Sequence, residues 1–598
     1  MTTTPTASSQ SGPPPTRPQD PVDAIQAIPG KDGLYLLTGS GGNVAVLVTD
    51  EGALVVDDKF AHNFEQIVAQ VASVTPLPVK FVLNTHHHGD HTGSNAQFLA
   101  SAEAVMHRNA RANMVRGNQP GQARLVFNDQ QAVFLGGVEV QMHYMGRGHT
   151  DGDAVVYFPS LKAVHTGDLI AGSPFIDYGN GASGVEWVTT LDNILRLDFD
   201  LVIPGHGPLM SKEELRAYRG KFVTLLDRMR EYVASGGTRE LAGSAIALGD
   251  LGWGGGLLSR SIPGLYDEIA LRAAADAVEY RVDPTWPKLP AELFFGTKGG
   301  FAGGTPQRGG DADRHYADGT SGIAVGADDH VYVFNRGVPT LMVFDREGNY
   351  LRGGGVLDVQ GKPVNTGWTH CGTVDWDGNV WAIERDGHRI LKFPPDLERA
   401  VLQLGTTNEK GCDETHLNLP NGIVVLRNGN IVVTDGYGNN RVVMYGPDGT
   451  FIKQVGKGAG GPTDKGQGPG EFAQPHKLAL DADDNMYIVD RQNRRIQVFD
   501  KDLNYLRMYG NDAWVPWAIS ISRAGTEGYG FFADHPHEEI KQFSLRDGTV
   551  LAVFGAAGDQ PGQFRSLHGL AVDSQGNVYG SDTFGQRAQK FVPVPRPT

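Results

Sequence analysis

Residues 84–93 read NTHHHGDHTG, and within them His86, His88, Asp90 and His91 form an H-x-H-x-D-H cluster. Three imidazoles and a carboxylate so close together suit a borderline divalent ion such as zinc, which takes imidazole nitrogen and carboxylate oxygen. A polar loop merely rich in histidine would need no distant donors, yet three follow: His149 in GRGHTDGD, Asp168 in HTGDL and His206 in PGHGP. A second group lies far downstream. His370, His476 and His568 each stand nine residues before an Asn (379, 485, 577) that marks a repeated turn. Singly, each is an ordinary structural hydrogen-bonder; converging, they would make a three-ligand zinc site with an open position.

The elements around the first group read as a layered α/β domain. The apolar run 79–83 predicts a buried strand, and 94–102 a helix, so the cluster falls on a strand-to-helix loop. His149, Asp168 and His206 come at or just after the strand-like runs Val138–Tyr144, Ala163–His165 and Leu201–Ile203. Loops at one end of a sheet are where such a fold gathers ligands. Upstream, short strands are expected at Leu34–Leu37, Val44–Val48 and 54–56, then a helix over 61–74. Residues 106–124 predict a polar helix able to act as a lid. Residues 171–183 form a loop beside the site; its Phe175 and Tyr178 either shape a pocket or are plain surface aromatics. Ser211 and Glu214 have capping-box spacing and open a long amphipathic helix that ends at Gly236-Gly237. A helical stretch over 265–280 leads to the Pro-rich segment 283–290, taken as the domain boundary.

Over these donors the chain resembles the metallo-β-lactamase superfamily, and the match spans all of its ligand motifs. The resemblance implies an αββα sandwich with one zinc on His86, His88 and His149. It puts a second zinc on Asp90, His91 and His206, with Asp168 bridging the two. Asp57 matches an early acidic position and supports the ligands rather than binding metal, while His87 and His165 point away. His62, His107 and His143 are left out. The activity implied is hydrolysis of an ester, lactone, thioester or amide in a small molecule. The nucleophile would be a hydroxide bridging the zincs, with Asp90 orienting it. β-Lactamase activity is the alternative, although Ala171 stands where some of those enzymes carry a Lys.

Beyond residue 290 short apolar runs alternate with Gly and Asp turns. The positions His330, Asn379, Asn430, Asn485 and Asn577 recur about every fifty residues, with one double gap between the last two that holds an unmarked unit around 517–534. Six such units predict a six-bladed propeller of four-stranded sheets, and the repeats resemble the NHL family. The three histidines then fall on alternate units, evenly spaced around a central channel. TDGYGNNRV (434–442), PHKLAL (475–480) and VDRQNRRIQ (489–497) resemble the peptidyl-hydroxyglycine amidating lyases, zinc-containing propellers that cleave a carbinolamide N–C bond. The resemblance implies zinc on His370, His476 and His568, with Arg336 and Tyr437 as active-site residues. Three positions depart from that family: Gly438 for a disulfide Cys, Gly569 for an Asp at a structural calcium, and Ser566 for a Met. The propeller is therefore a second catalytic unit, a domain pinned by structural zinc, or a binding module.

A chain of 598 residues exceeds one hydrophobic core, and its composition, 40% hydrophobic and 20% charged, is that of a soluble protein. The expected organisation is a disordered tail over 1–20, a hydrolase domain over 21–290 and a propeller over 291–598. A net charge of -16 argues against a nucleic-acid partner, and no apolar run reaches the length of a membrane span. Two cysteines, Cys371 and Cys412, make no disulfide framework. With no apolar leader in the first twenty residues, a cytoplasmic location is expected.

Overall fold

In the N-terminal unit the strands come from short runs that bury both faces. Leu34–Leu37, Val44–Val48 and Ala53–Val56 pair antiparallel, and Val79–Asn84, Glu103–His107 and Leu125–Phe127 extend the same sheet in parallel. A second sheet of six strands runs from Gln130–Leu135 to Met210–Ser211, with the parallel pair Ala163–His165 and Leu201–Ile203 inside it. Side chains from both sheets, among them Leu54, Leu83, Val156 and Ile203, fill the space between them. The helix Phe64–Ala72 covers the outer face of the first sheet through Ile67 and Val71. Gly184–Leu195 and Lys212–Ala234 cover the second through Trp187, Leu191 and Phe222. The architecture is therefore an αββα sandwich. The capping box at Ser211 and Glu214 forms as expected.

This computed structural model describes residues 21–596 except 254–255, 297–318, 365–368, 457–465, 511–512, 523–527 and 536; the expected tail over 1–20 lies outside them. The chain divides into two compact units, Met1–Ala270 and Leu271–Thr598. The division precedes the Pro-rich segment proposed as the boundary, because Val278–Asp283 is already a propeller strand. It pairs with Arg587–Pro595 and supplies the outermost strand of the last blade. Trp286, from the Pro-rich segment itself, packs on Phe344 and Tyr579.

The second unit is a ring of six four-stranded blades. Three of the recurring turns share one chemical cause. In blades 2, 4 and 6 an Asp carboxylate (Asp375, Asp481, Asp573) accepts from the backbone and side-chain amides of the marker Asn four residues on. Buried Asp–Arg pairs, Asp435–Arg441 at 2.9 Å and Asp490–Arg495 at 2.7 Å, hold the next two strands of their blades together. The unmarked fifth unit is a blade like the others, from Pro516–Ser520 to Val550–Phe554.

Two expectations need correction. Residues 106–124 are not one lid helix: Glu103–His107 is a strand, Arg108–Arg116 a helix and Leu125–Phe127 a strand. The apolar Ala-Val-Met of 104–106 goes into the sheet, where burial on both faces outweighs helix propensity. The helix expected over 265–280 spans Leu258–Asp276. Among the described residues no helix is long and apolar enough to cross a membrane.

Candidate metal centres

In the first unit the donors converge as two adjoining groups. Ligand atoms of His86, His88, His149 and Asp168 lie within 4.8 Å of one another, as do those of Asp90, His91 and His206. Asp168 links the groups. Its Oδ2 is 3.7 Å from His149 Nε2, and its Oδ1 is 3.2 and 3.4 Å from His91 Nε2 and His206 Nε2. Asp90 Oδ2 lies 3.2 Å from His206 Nε2. His86 Nε2 is fully buried without a hydrogen-bond partner among the described residues, as a donor reserved for an ion would be. The loops close this tightly only because glycine surrounds them. A Cβ on Gly205 would sit 2.0 Å from Asp168 Oδ1, and one on Gly42 would sit 2.1 Å from the His91 ring.

Each inner imidazole is held from behind through its other nitrogen. His91 Nδ1 meets Asp57 at 2.7 Å, and Asp57 also accepts from the Thr85 amide and hydroxyl. His86 Nδ1 meets Thr85 Oγ1 at 3.0 Å, and His149 Nδ1 meets the Phe175 carbonyl at 2.6 Å. His88 turns Nδ1 to His149 Nε2, 2.9 Å away, and Nε2 to Asp177, 3.0 Å away. Such contacts set tautomer and orientation in metal-binding histidines. Asp177 was missed in the sequence; its only signal was a carboxylate in the loop after Asp168. His87 also approaches His88 and Asp177, and His165 turns to the Asn43 carbonyl.

The charges fit a cation. Burial pushes Asp90 up, but His206 and His91 outweigh it and hold the carboxyl at about 2. Asp168 is likewise held well below the carboxylate range against burial, by His91 and His206. Burial would depress His206, yet Asp168 and Asp90 raise it to about 9. Protons therefore occupy the space between the carboxylates, and a divalent ion would displace them. A cavity of about 500 Å³ opens on the site, walled by Ala171, Phe175 and Leu257 with His206 and Asp90. Tyr178, paired with Phe175 in the sequence reading, does not reach it and instead donates to Glu268 at 2.8 Å.

In the propeller His370, His476 and His568 converge within 4.8 Å, with ring centroids 4.9 to 5.5 Å apart. The Tyr437 hydroxyl lies 3.2 Å from His370 Nε2 and 2.9 Å from His476 Nε2. His476 Nδ1 and His568 Nδ1 lean on main-chain carbonyls of the next blade, Trp517 and Ser321, both at 2.6 Å. Burial first, then nearby cations such as Lys477, holds all three imidazoles well below the ordinary histidine range. Neutral imidazole is the metal-binding form. A cavity of about 1180 Å³ opens over them, lined by Arg336, Arg385, Tyr437, Arg491, Trp517 and His535 among others. Arg491 stacks 3.7 Å from the Trp517 ring centroid, and His535 covers Trp517 at 3.8 Å. Arg385, Arg491 and His535 went unnoticed in the sequence. They occupy the repeat position of Arg336, directly after the last residue of each blade's second strand, so aligning the repeats would have found them.

Comparison with known proteins agrees with both halves. Residues 37–206 match the Metallo-beta-lactamase superfamily, and residues 412–543 match a 6-bladed beta-propeller family. The peptidyl-glycine alpha-amidating monooxygenase of Mus musculus is 29% identical over 232 residues, 37% of this chain but only 23% of that one. The "Probable peptidyl-alpha-hydroxyglycine alpha-amidating lyase" of Caenorhabditis elegans is 32% identical over 36% of this chain and 60% of its own length. NHL repeat-containing protein 3 of Homo sapiens is 28% identical over 53% of this chain and 86% of its own. The chain thus carries a metallo-beta-lactamase superfamily domain at its N-terminus, followed by a six-bladed propeller with NHL-repeat and amidating-lyase relatives.

Proposed function

We propose that the N-terminal unit is a two-zinc hydrolase that cleaves an ester, lactone, thioester or amide bond in a small molecule. The observation that carries this is the Asp168 carboxylate, whose two oxygens face two separate imidazole groups. His86, His88 and His149 would hold one ion and Asp90, His91 and His206 the other, with Asp168 between. When bound, such ions polarise a carbonyl and lower the pKa of water. The chain does the rest. Asp90, ionised and a quarter exposed, accepts a hydrogen bond from the attacking water and aligns it. Phe175 and Leu257 give the pocket an apolar wall. Ala171 lies on the wall and brings no cation for a β-lactam carboxylate, which favours neutral substrates. The test is zinc analysis of the full chain with a screen of esters, lactones, thioesters and β-lactams, before and after chelation. Full turnover after exhaustive metal removal would sink the reading.

A second activity is supported by one specific feature: the Tyr437 hydroxyl lies within hydrogen-bond reach of two of the three propeller imidazoles, under a cavity bordered by Arg336. We infer breakdown of a carbinolamide there, with Tyr437 moving a proton and Arg336 holding a carboxylate, on one zinc at His370, His476 and His568. Tyr437→Phe should slow release of the amide from an α-hydroxyglycine substrate by roughly 100-fold or more, the span of general acid–base catalysis. Propeller metal should be retained. A parent chain without such activity would leave the propeller as a binding module or a zinc-pinned structural domain.

A further inference from the structure

Directly after the ring of residues that includes the three imidazoles comes a second ring at equivalent repeat positions: Gly322, Cys371, Gly422, Lys477, Ala518 and Gly569. In five blades the pairing between the innermost strand and its neighbour shifts register here. A bulge of this kind re-aims successive side chains. His476 and Lys477, adjacent in sequence, therefore both serve the channel. His476 joins the imidazole cluster, and Lys477 lines a cavity of about 140 Å³ walled by the six innermost strands.

Lys477 is 8% exposed, and its Nζ is fully buried within reach of one weak acceptor, the Cys371 thiol. Its charged and polar neighbours are the Cys371 thiol and the Arg336 guanidinium. The thiol is a weak acceptor, and it already donates to the Asn421 carbonyl at 3.1 Å. The guanidinium is a second cation. Four of the other ring positions are Gly or Ala and carry no charge. Asp481, the one carboxylate among the described residues of the cavity wall, is engaged by its own turn through Asn485 and Asp483. An ammonium buried with only a thiol as acceptor and no counter-charge is unfavourable, and burial accordingly pushes the Lys477 pKa down.

We propose that the propeller channel binds a small inorganic anion of chloride size, held by Lys477 Nζ on the side away from the substrate cavity. The volume admits such an ion together with a few waters, each taking about 30 Å³. The anion offsets the charge that Lys477 brings into the channel wall. It makes no use of the hydrolase site or of metal on the three histidines.

Crystals of the full chain soaked in bromide test this directly, because bromide scatters anomalously. The expected result is a bromide peak beside Lys477 Nζ, absent in Lys477→Met and kept in Lys477→Arg. In parallel, chloride titrated against isethionate at constant ionic strength should raise the propeller's unfolding temperature saturably in the parent and not in Lys477→Met. A channel free of bromide in the parent overturns the proposal, with an uncharged lysine as the remaining account. So does a peak that persists in Lys477→Met. If that variant does not fold, the parent soak alone decides.

Discussion

The two imidazole clusters use the same donor and differ in what surrounds it. In the N-terminal unit the histidines are interleaved with Asp90 and Asp168 and backed by Asp57 and Asp177. In the propeller no carboxylate among the described residues joins the three histidines; backbone carbonyls support two of them, and Arg336, Arg385, Arg491 and Lys477 lie around them. Anionic ligands set how many cations a site can hold and how strongly protons compete for it, so one donor type serves two ions in the first case and suits one in the second. The contrast also bears on substrate. The carboxylate-rich site faces a pocket with apolar walls, and the cationic one faces a cavity suited to an anion.

The strongest way to break this comparison is to remove the shared carboxylate. Asp168→Ala should lower hydrolysis on the order of 1,000-fold, as several kcal/mol of metal assistance is lost. Propeller metal and folding should be intact by metal analysis and circular dichroism. A variant that keeps its activity would show that the two imidazole groups do not work as one site. A smaller effect is expected from Asp177→Ala, which removes the support behind His88: a loss of about 10- to 100-fold in N-terminal metal affinity, read by chelator competition. Among the described residues the propeller shows no counterpart, since two of its imidazoles lean on main chain.

Protons sharpen the comparison further. With His206 raised to about 9 and His91 also raised, both groups carry protons at pH 7 in the metal-free site. Zinc uptake there should release about two protons, whereas the propeller imidazoles, depressed by burial, should release almost none. Calorimetry in buffers of different ionisation enthalpy measures this; equal release at both sites would contradict the contrast. The smallest effect concerns Cys371. Its thiol occupies the Asn421 carbonyl, the acceptor that His370 would use by the pattern of His476 and His568, and His370 Nδ1 is left without a partner among the described residues. Cys371→Ala should free that carbonyl and tighten propeller metal binding several-fold, up to about 10-fold. Unchanged affinity would mean that His370 needs no such support.

Much of this was readable from residue types. The H-x-H-x-D-H cluster, the Gly-bracketed His149 and His206, and the repeat offset of the three propeller histidines all point to residues that the fold brings together. Asp177 was not readable, because a lone acidic residue in a loop has no spacing signal and gains a role only when the loop folds over His88. The strand at Glu103–His107 was not foreseen, and its last two residues were counted into the helix predicted over 106–124, because five residues carry too little periodicity to decide; parallel pairing on both sides decided it instead.

What the sequence determined by itself was chemistry and repetition: which side chains can bind a cation, and that about fifty residues recur as a unit. Those are properties of residue type and spacing, and they survive without coordinates. Tertiary structure alone decided which nitrogen of each imidazole faces the site and that Asp177 stands behind His88. It also decided that Lys477 ends buried beside a thiol, and that a strand from residues 278–283 closes the last blade. Each of these depends on contacts between segments tens to hundreds of residues apart, and no local pattern in the chain records them.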